Sequence, residues 1–205
     1  MKRFFTFLFL SIFISASSIA QQIEKQTLDR NGFPNFVKFD TKTQTISKTE
    51  TKTVLSSILN ATKSDEFKSI RSEKDQIGFT HEKFQQLYQG IKVEHGTYIV
   101  HSRNGLIESM SGEYKLIKDI NINPSISENE AIEKAKSFVN AEEYIADNEK
   151  DSKTPELVIV ANDYGKHPKD EFEMVLAYKI DVYASKPLRR DWVYVDAHSG
   201  EIVHV

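Results

Sequence analysis

From Ile77 to Tyr114 the chain carries its clearest pattern of sides. A segment with an apolar and a polar face runs into Gly90. Beyond it Tyr98, Val100 and Ser102 fall on one side of an extended chain, and Thr97, Ile99 and His101 on the other. Leu106 to Met110 resumes the extended pattern after Asn104-Gly105, a dipeptide suited to the positive φ angles of a two-residue hairpin turn. The unit therefore reads as an antiparallel pair with one wet face. Gly112 closes it, and Tyr114 to Ile117 reads as a further strand-like piece.

Upstream, residues 21–53 are polar and rich in Thr and Lys, with Phe33, Phe36, Val37 and Phe39 forming one short extended segment of a docking arm. Val54, Leu55, Ile58 and Leu59 recur at helical spacing. Asn60 to Gln76 is strongly charged, with Ala61, Phe67 and Ile70 as its apolar anchors, and predicts a loop-rich or second helical connection. Downstream, the polar stretch around Pro124 marks residues 119–126 as a linker.

Ser127 and Glu130 have the spacing of a capping box, so a helix begins near Glu128 and buries Ile132, Ala135, Phe138 and Val139. The polar run from Ala146 to Pro155 is expected to end it. Leu157 to Ala161 is apolar throughout, Met174 to Tyr183 and Trp192 to Val195 alternate, and Glu201 to Val205 follows a turn at Gly200. One helix against an antiparallel meander is an α+β arrangement. The whole predicts two small modules, residues 54–118 and 127–205, each an antiparallel sheet with a helix packed on it. A strand running up to Val205 is unusual for a complete domain.

Composition sets the compartment. Lys2 and Arg3 precede the apolar run Phe4 to Ile14, and Ser18-Ile19-Ala20 offers small residues to a signal peptidase. Residues 1–20 thus predict a secretory leader cut between Ala20 and Gln21, and a secreted or periplasmic location. The apolar run is shorter than the roughly 20 residues that cross a bilayer, so no membrane association is expected once the leader is gone. Loss of Lys2 and Arg3 takes the formal net charge from −3 to −5. That mildly acidic balance gives no footprint for nucleic acid. The absence of cysteine excludes disulfides, thiolate catalysis and Cys-held zinc.

Candidate chemistry centres on His81-Glu82-Lys83-Phe84-Gln85, one residue short of the H-E-x-x-H zinc motif. That motif needs two imidazoles one helical turn apart, and an amide at Gln85 is a poor substitute. His95 and His101 can share a strand face, yet six residues of extended chain, about 20 Å, separate them. There is no G-x-S-x-G, and the glycines are isolated turn residues rather than a phosphate cradle. The residues alone predict no catalytic site, metal site or cofactor in this chain.

Thr80-His81, Gln86, Tyr88, Gly90, Val93, Gly96, His101, Gly105 and Ser111-Gly112 stand in the order and spacing that resemble the fungalysin/thermolysin propeptide (FTP) motif. This module precedes the catalytic domain in secreted thermolysin-like zinc metallopeptidases. Residues 127–205, with AIEKAKSFV, LAYKIDVYA and WVYVDAHSGEIV, are similar to the PepSY module of the same precursors, whose fold is cystatin-like; Tyr194, Asp196 and Gly200 carry the signature. The resemblance implies a pro-region that assists folding of a bacillolysin-type protease domain and inhibits it until cleaved. It implies partnership with that domain in cis, or in trans if the chain is a free-standing inhibitor or binding protein. Zinc and calcium would then belong to the protease domain. Ile202, Val203, His204 and Val205 would lead toward the protease cleft.

Overall fold

The computed structural model describes residues 23–42, 45–145, 154–167 and 171–205. The expected leader and its cleavage point at Ala20 and Gln21 lie outside the described residues. In chain order the elements are β1 (Ile23–Leu28), β2 (Pro34–Phe39), α1 (Thr51–Ile58), β3 (Asp65–Lys74), β4 (Phe79–Tyr88), β5 (Ile91–Arg103) and β6 (Leu106–Gly112). Then follow α2 (Glu128–Val139), β7 (Glu143–Tyr144), β8 (Glu156–Ala161), β9 (Met174–Lys186), β10 (Leu188–Asp196) and β11 (Ile202–His204).

The class is α+β, but the expectation of a separate antiparallel sheet in each module gives way to one continuous mixed sheet. Its order is β1-β2-β6-β5-β8-β9-β10-β11, with β4 also on β5, β3 on β4 and β7 on β9. Strand β5 is the join. From Tyr98 to Arg103 one of its edges carries β6, and at Lys92 and Val93 β8 pairs with it in parallel through Val158 and Ile159. The other edge carries β4 along most of its length.

Each half has its own core. Helix α1 places Val54 and Leu55 against Val37, Phe39, Phe67, Phe84, Tyr98, Val100, Ile107 and Met110. Helix α2 places Ala131, Ala135 and Val139 against Ile159, Leu176, Tyr178, Ile180, Val182, Val193 and Val195. On the opposite face of the second half, Val158, Val160, Ala177, Tyr194 and Val203 are also buried, which makes β8 apolar on both sides. The Ser127 hydroxyl accepts from Glu130 N at 3.2 Å and starts α2 where the capping spacing places it.

Four local expectations are corrected. The arm supplies two strands, β1 and β2, and β2 is built into the sheet through β6 with Val37 and Phe39 buried. The charged stretch 60–76 is neither loop nor helix but holds the edge strand β3, whose single fully buried side chain is Phe67. Tyr114 to Ile117 forms no strand; Tyr114 and Ile117 are buried as irregular chain packed on the cores. Helix α2 stops before the polar run, at Asn140, which takes the left-handed conformation (φ 51°) and so leaves room for β7.

Candidate functional site

Gln86, Tyr88, Gly90, Val93 and Gly96 of the signature lie where β5 changes partners. Between Gln85, opposite Thr97, and Leu87, opposite Lys92, the pairing of β4 with β5 is interrupted, so Val93 to Gly96 form a bulge in β5. His95 sits in the bulge with φ 60°. Two adjacent amides fill the gap. Gln85 Nε2 lies 2.7 Å from Val93 O, 3.0 Å from Gly96 O and 3.0 Å from Gln86 O. Gln86, 1% exposed, donates to Asp65 Oδ1 and Lys115 O, both at 2.8 Å, and accepts from Lys115 N at 3.0 Å. A buried amide whose donors and acceptor are all met costs little, and the arrangement fixes β3, β4 and the chain after β6 together.

The glycines of the motif answer to this packing. A Cβ on Gly96 would stand 2.7 Å from Gln86 Oε1, and one on Gly112 would stand 2.1 Å from Thr97 O and 2.7 Å from Tyr98 Cα. Gly112 is thus required by backbone, which cannot step aside. Gln89-Gly90 and Asn104-Gly105 form two hairpin turns, each with two positive φ angles. Tyr88 and Val93 are buried and pack in the second core, so the motif reaches across both halves. Asp65 Oδ2 accepts from Tyr114 Oη at 2.8 Å; burial and the Asp65 carboxylate push that phenol well above its usual range.

Thr80 and His81 lie on β4 and His101 lies opposite His81 on β5. A strand cannot present the one-turn spacing of a zinc helix, which removes the reading of His81-Glu82 as a metallopeptidase motif. In its place stands a polar chain: His81 Nδ1 is 2.6 Å from His101 Nδ1, and His81 Nε2 is 3.1 Å from Asp75 Oδ2. The sequence weighs His101 only against His95, about 20 Å away on the same strand, and overlooks His81 as its partner, because cross-strand register is not written in one strand. Desolvation pushes the Asp75 carboxyl up, but His81 and the N–H groups of Phe79 and Ile77 outweigh it and hold the carboxyl below its usual range. Burial, reinforced by the His81 charge, pushes the His101 imidazole below its usual value. Among the described residues no group of three or more His, Asp or Glu is arranged to hold a metal ion.

In the second half, the side of the sheet away from α2 carries a charged centre. Glu94, 7% exposed, receives Lys92 at 2.8 Å and Lys179 at 3.2 Å. Desolvation of the Glu94 carboxyl is outweighed by these two cations, so it is held below its usual range. Lys179 also lies 4.7 Å over the Trp192 ring and 5.4 Å over that of Tyr194. Asp196 Oδ1 accepts from the amides of His198 and Ser199 and shapes the last turn, in which Gly200 has φ 74°. Ile202 to His204 form β11. The Val203 carbonyl accepts from Asp163 N and Tyr164 N, and the His204 ring meets Asp163 Oδ1 at 2.6 Å, so β11 does not offer a bare edge; Val205 is exposed.

Gln86, Tyr88, Gly96 and Gly112 of the signature are thus spent on the chain's own fold. Residues 65–114 match the family described as Fungalysin/Thermolysin Propeptide Motif, so the chain carries a protease-propeptide motif spanning β3 to β6. No curated protein matches. Among solved structures the chain is similar to the Bacillus megaterium YpeB C-terminal domain, with 16% identity over 92% of this chain and 94% of that one and a TM-score of 0.40, a loose likeness.

Proposed function

We propose that the chain is the pro-region of a secreted thermolysin-like zinc metalloprotease, assisting the folding of the protease domain and inhibiting it until cleaved. The observation that carries this reading is the propeptide motif at 65–114, whose polar signature residues serve the fold and leave recognition to surfaces and edges. Residues 127–205 act as a PepSY-like second part that adds a face of its own. A pro-region needs a surface that binds the incompletely packed or native protease, and neither task uses a nucleophile.

Backbone pairing to a partner is best placed at β3. Among the described residues it pairs on one side only, with β4, whereas β11 is capped by Asp163 and Tyr164. Lys68, Arg71, Glu73 and Lys74 along β3 discourage indiscriminate pairing while leaving the strand open to a matched one. Ile202 to Val205 then lead from β11 toward the protease cleft. The zinc and calcium of the family reside in the protease domain.

The test uses the purified chain, without residues 1–20, and its cognate protease domain. Added in trans, the chain slows peptide hydrolysis and raises the yield of active protease after refolding from denaturant. If it does neither, the pro-region reading is wrong.

A further inference from the structure

We propose that Asp75, His81 and His101 form a proton-operated clasp between β4 and β5, closed while the two imidazoles share one proton and opened by a second. Two ring nitrogens 2.6 Å apart need one hydrogen and one lone pair between them. Asp75 as a carboxylate only accepts, so His81 Nε2 carries a hydrogen. Two states satisfy the contact: neutral His81 accepting from His101 Nδ1–H, or an imidazolium at His81 held between Asp75 and a neutral His101. A further proton, taken from water, turns N–H against N–H and sets two cations side by side. The rings must then part.

The surroundings do not relieve that state. On β3, Glu73 stands opposite His81 but is paired with Arg71 at 2.6 Å. On β6, Glu108 is paired with Arg103 of β5 at 2.8 Å, and the residue opposite His101 is the uncharged Ser109. On β4, Lys83 adds a cation two residues along from His81. Asp75 is the carboxylate left, and it serves the first proton. Phe79, stacked 6.2 Å from the His81 ring and covered by Arg103 at 4.6 Å, offers no acceptor. His81 and Asp75 are 37% and 31% exposed, so solvent protons reach the pair.

The clasp is a property of this chain by itself and does not rest on the pro-region reading. Where the chain covers a protease, acidification would loosen the matched segment and with it the grip. The test is the histidine ring titration by NMR in the full chain from pH 8 to pH 5, with amide protection corrected for intrinsic exchange. The pair titrates in two steps separated by more than one pH unit. Protection at residues 80–84 and 98–102 then falls by up to tenfold per pH unit as the second proton binds, the slope of one extra proton in the open state. Two independent single steps near the ordinary value of about 6.5, or flat protection whatever the rings do, overturn the proposal. In His101→Phe the pH dependence of Tm between pH 7.5 and 5.5 shrinks relative to the parent chain; an undiminished dependence also overturns it. Should that variant not fold, the ring titration of the parent chain decides.

Discussion

Gln85 and Gln86 are neighbours with opposite faces, as strand geometry requires, and both are buried amides. Replacing Gln86 by Leu keeps the volume but strands the Asp65 carboxylate oxygen and both backbone groups of Lys115. A loss of about 2–3 kcal/mol is expected in urea unfolding, the penalty of orphaned buried partners. Gly112→Ala is expected to cost about 3 kcal/mol by the same measurement, because the added methyl meets the backbone of Thr97 and Tyr98. Glu94 gives a pH test. Its folded carboxyl titrates below the ordinary 4.5, so its contribution is present above 4.5 and is lost as pH falls through the lowered folded value. Glu94→Gln should lower stability at pH 7 by about 1–3 kcal/mol and flatten the acid limb of the stability curve. The sequence marks Gln86, Gly96 and Gly112 as signature residues without saying why. Their reasons are contacts made across strands distant in sequence, which no periodicity records.

At the scale of elements, legibility follows how much of each element's environment is local. The β5–β6 hairpin is readable because Asn104-Gly105 and the alternation of Tyr98, Val100 and Ser102 are both written into the segment itself. Helix α2 is readable from Ser127 and its apolar stripe. Strand β3 is not, since on the side where Phe67 is buried the following positions are Ser69 and, past the bulge at Ile70, Ser72 and Lys74, and its identity comes from the hydrogen bonds of β4. The charged residues that suit an open edge are the same ones that imitate a solvated loop. A paired substitution checks this division. Leu55→Ala in α1, at a side chain with 0% exposure, should cost about 2–5 kcal/mol. Ile70→Thr on β3, at 51% exposure, should stay within about 0.5 kcal/mol.

For the molecule as a whole, the decisive fact is that two cores share one sheet. Strand β5 contributes Tyr98 and Val100 to one core and Val93 to the other, and the bulge at Val93 to Gly96 is where the change is made. Loss of either half strips β5 of partners it needs in the other. Urea unfolding is therefore expected to be a single transition, with Trp192 fluorescence, which reports the second half, coinciding with far-ultraviolet circular dichroism, which reports both. Two separated midpoints would show that the halves fold independently. The polar stretch around Pro124 suggests separate modules in the sequence, whereas the parallel contact of β5 with β8 that joins the two halves in one sheet links residues far apart and leaves no local mark.

The hydrogen bond from Tyr114 to Asp65 joins the last residue of the propeptide-motif segment to the first. A segment whose two ends are tied to each other enters and leaves the fold at one point, as a loop on a key ring does. Such a piece can be carried into a different host chain without displacing the host's flanks, because closely spaced ends make insertion tolerable. The tie brings the entry and exit of residues 65–114 to one doorway, while β6 and β5 lean on β2 and β8 outside it.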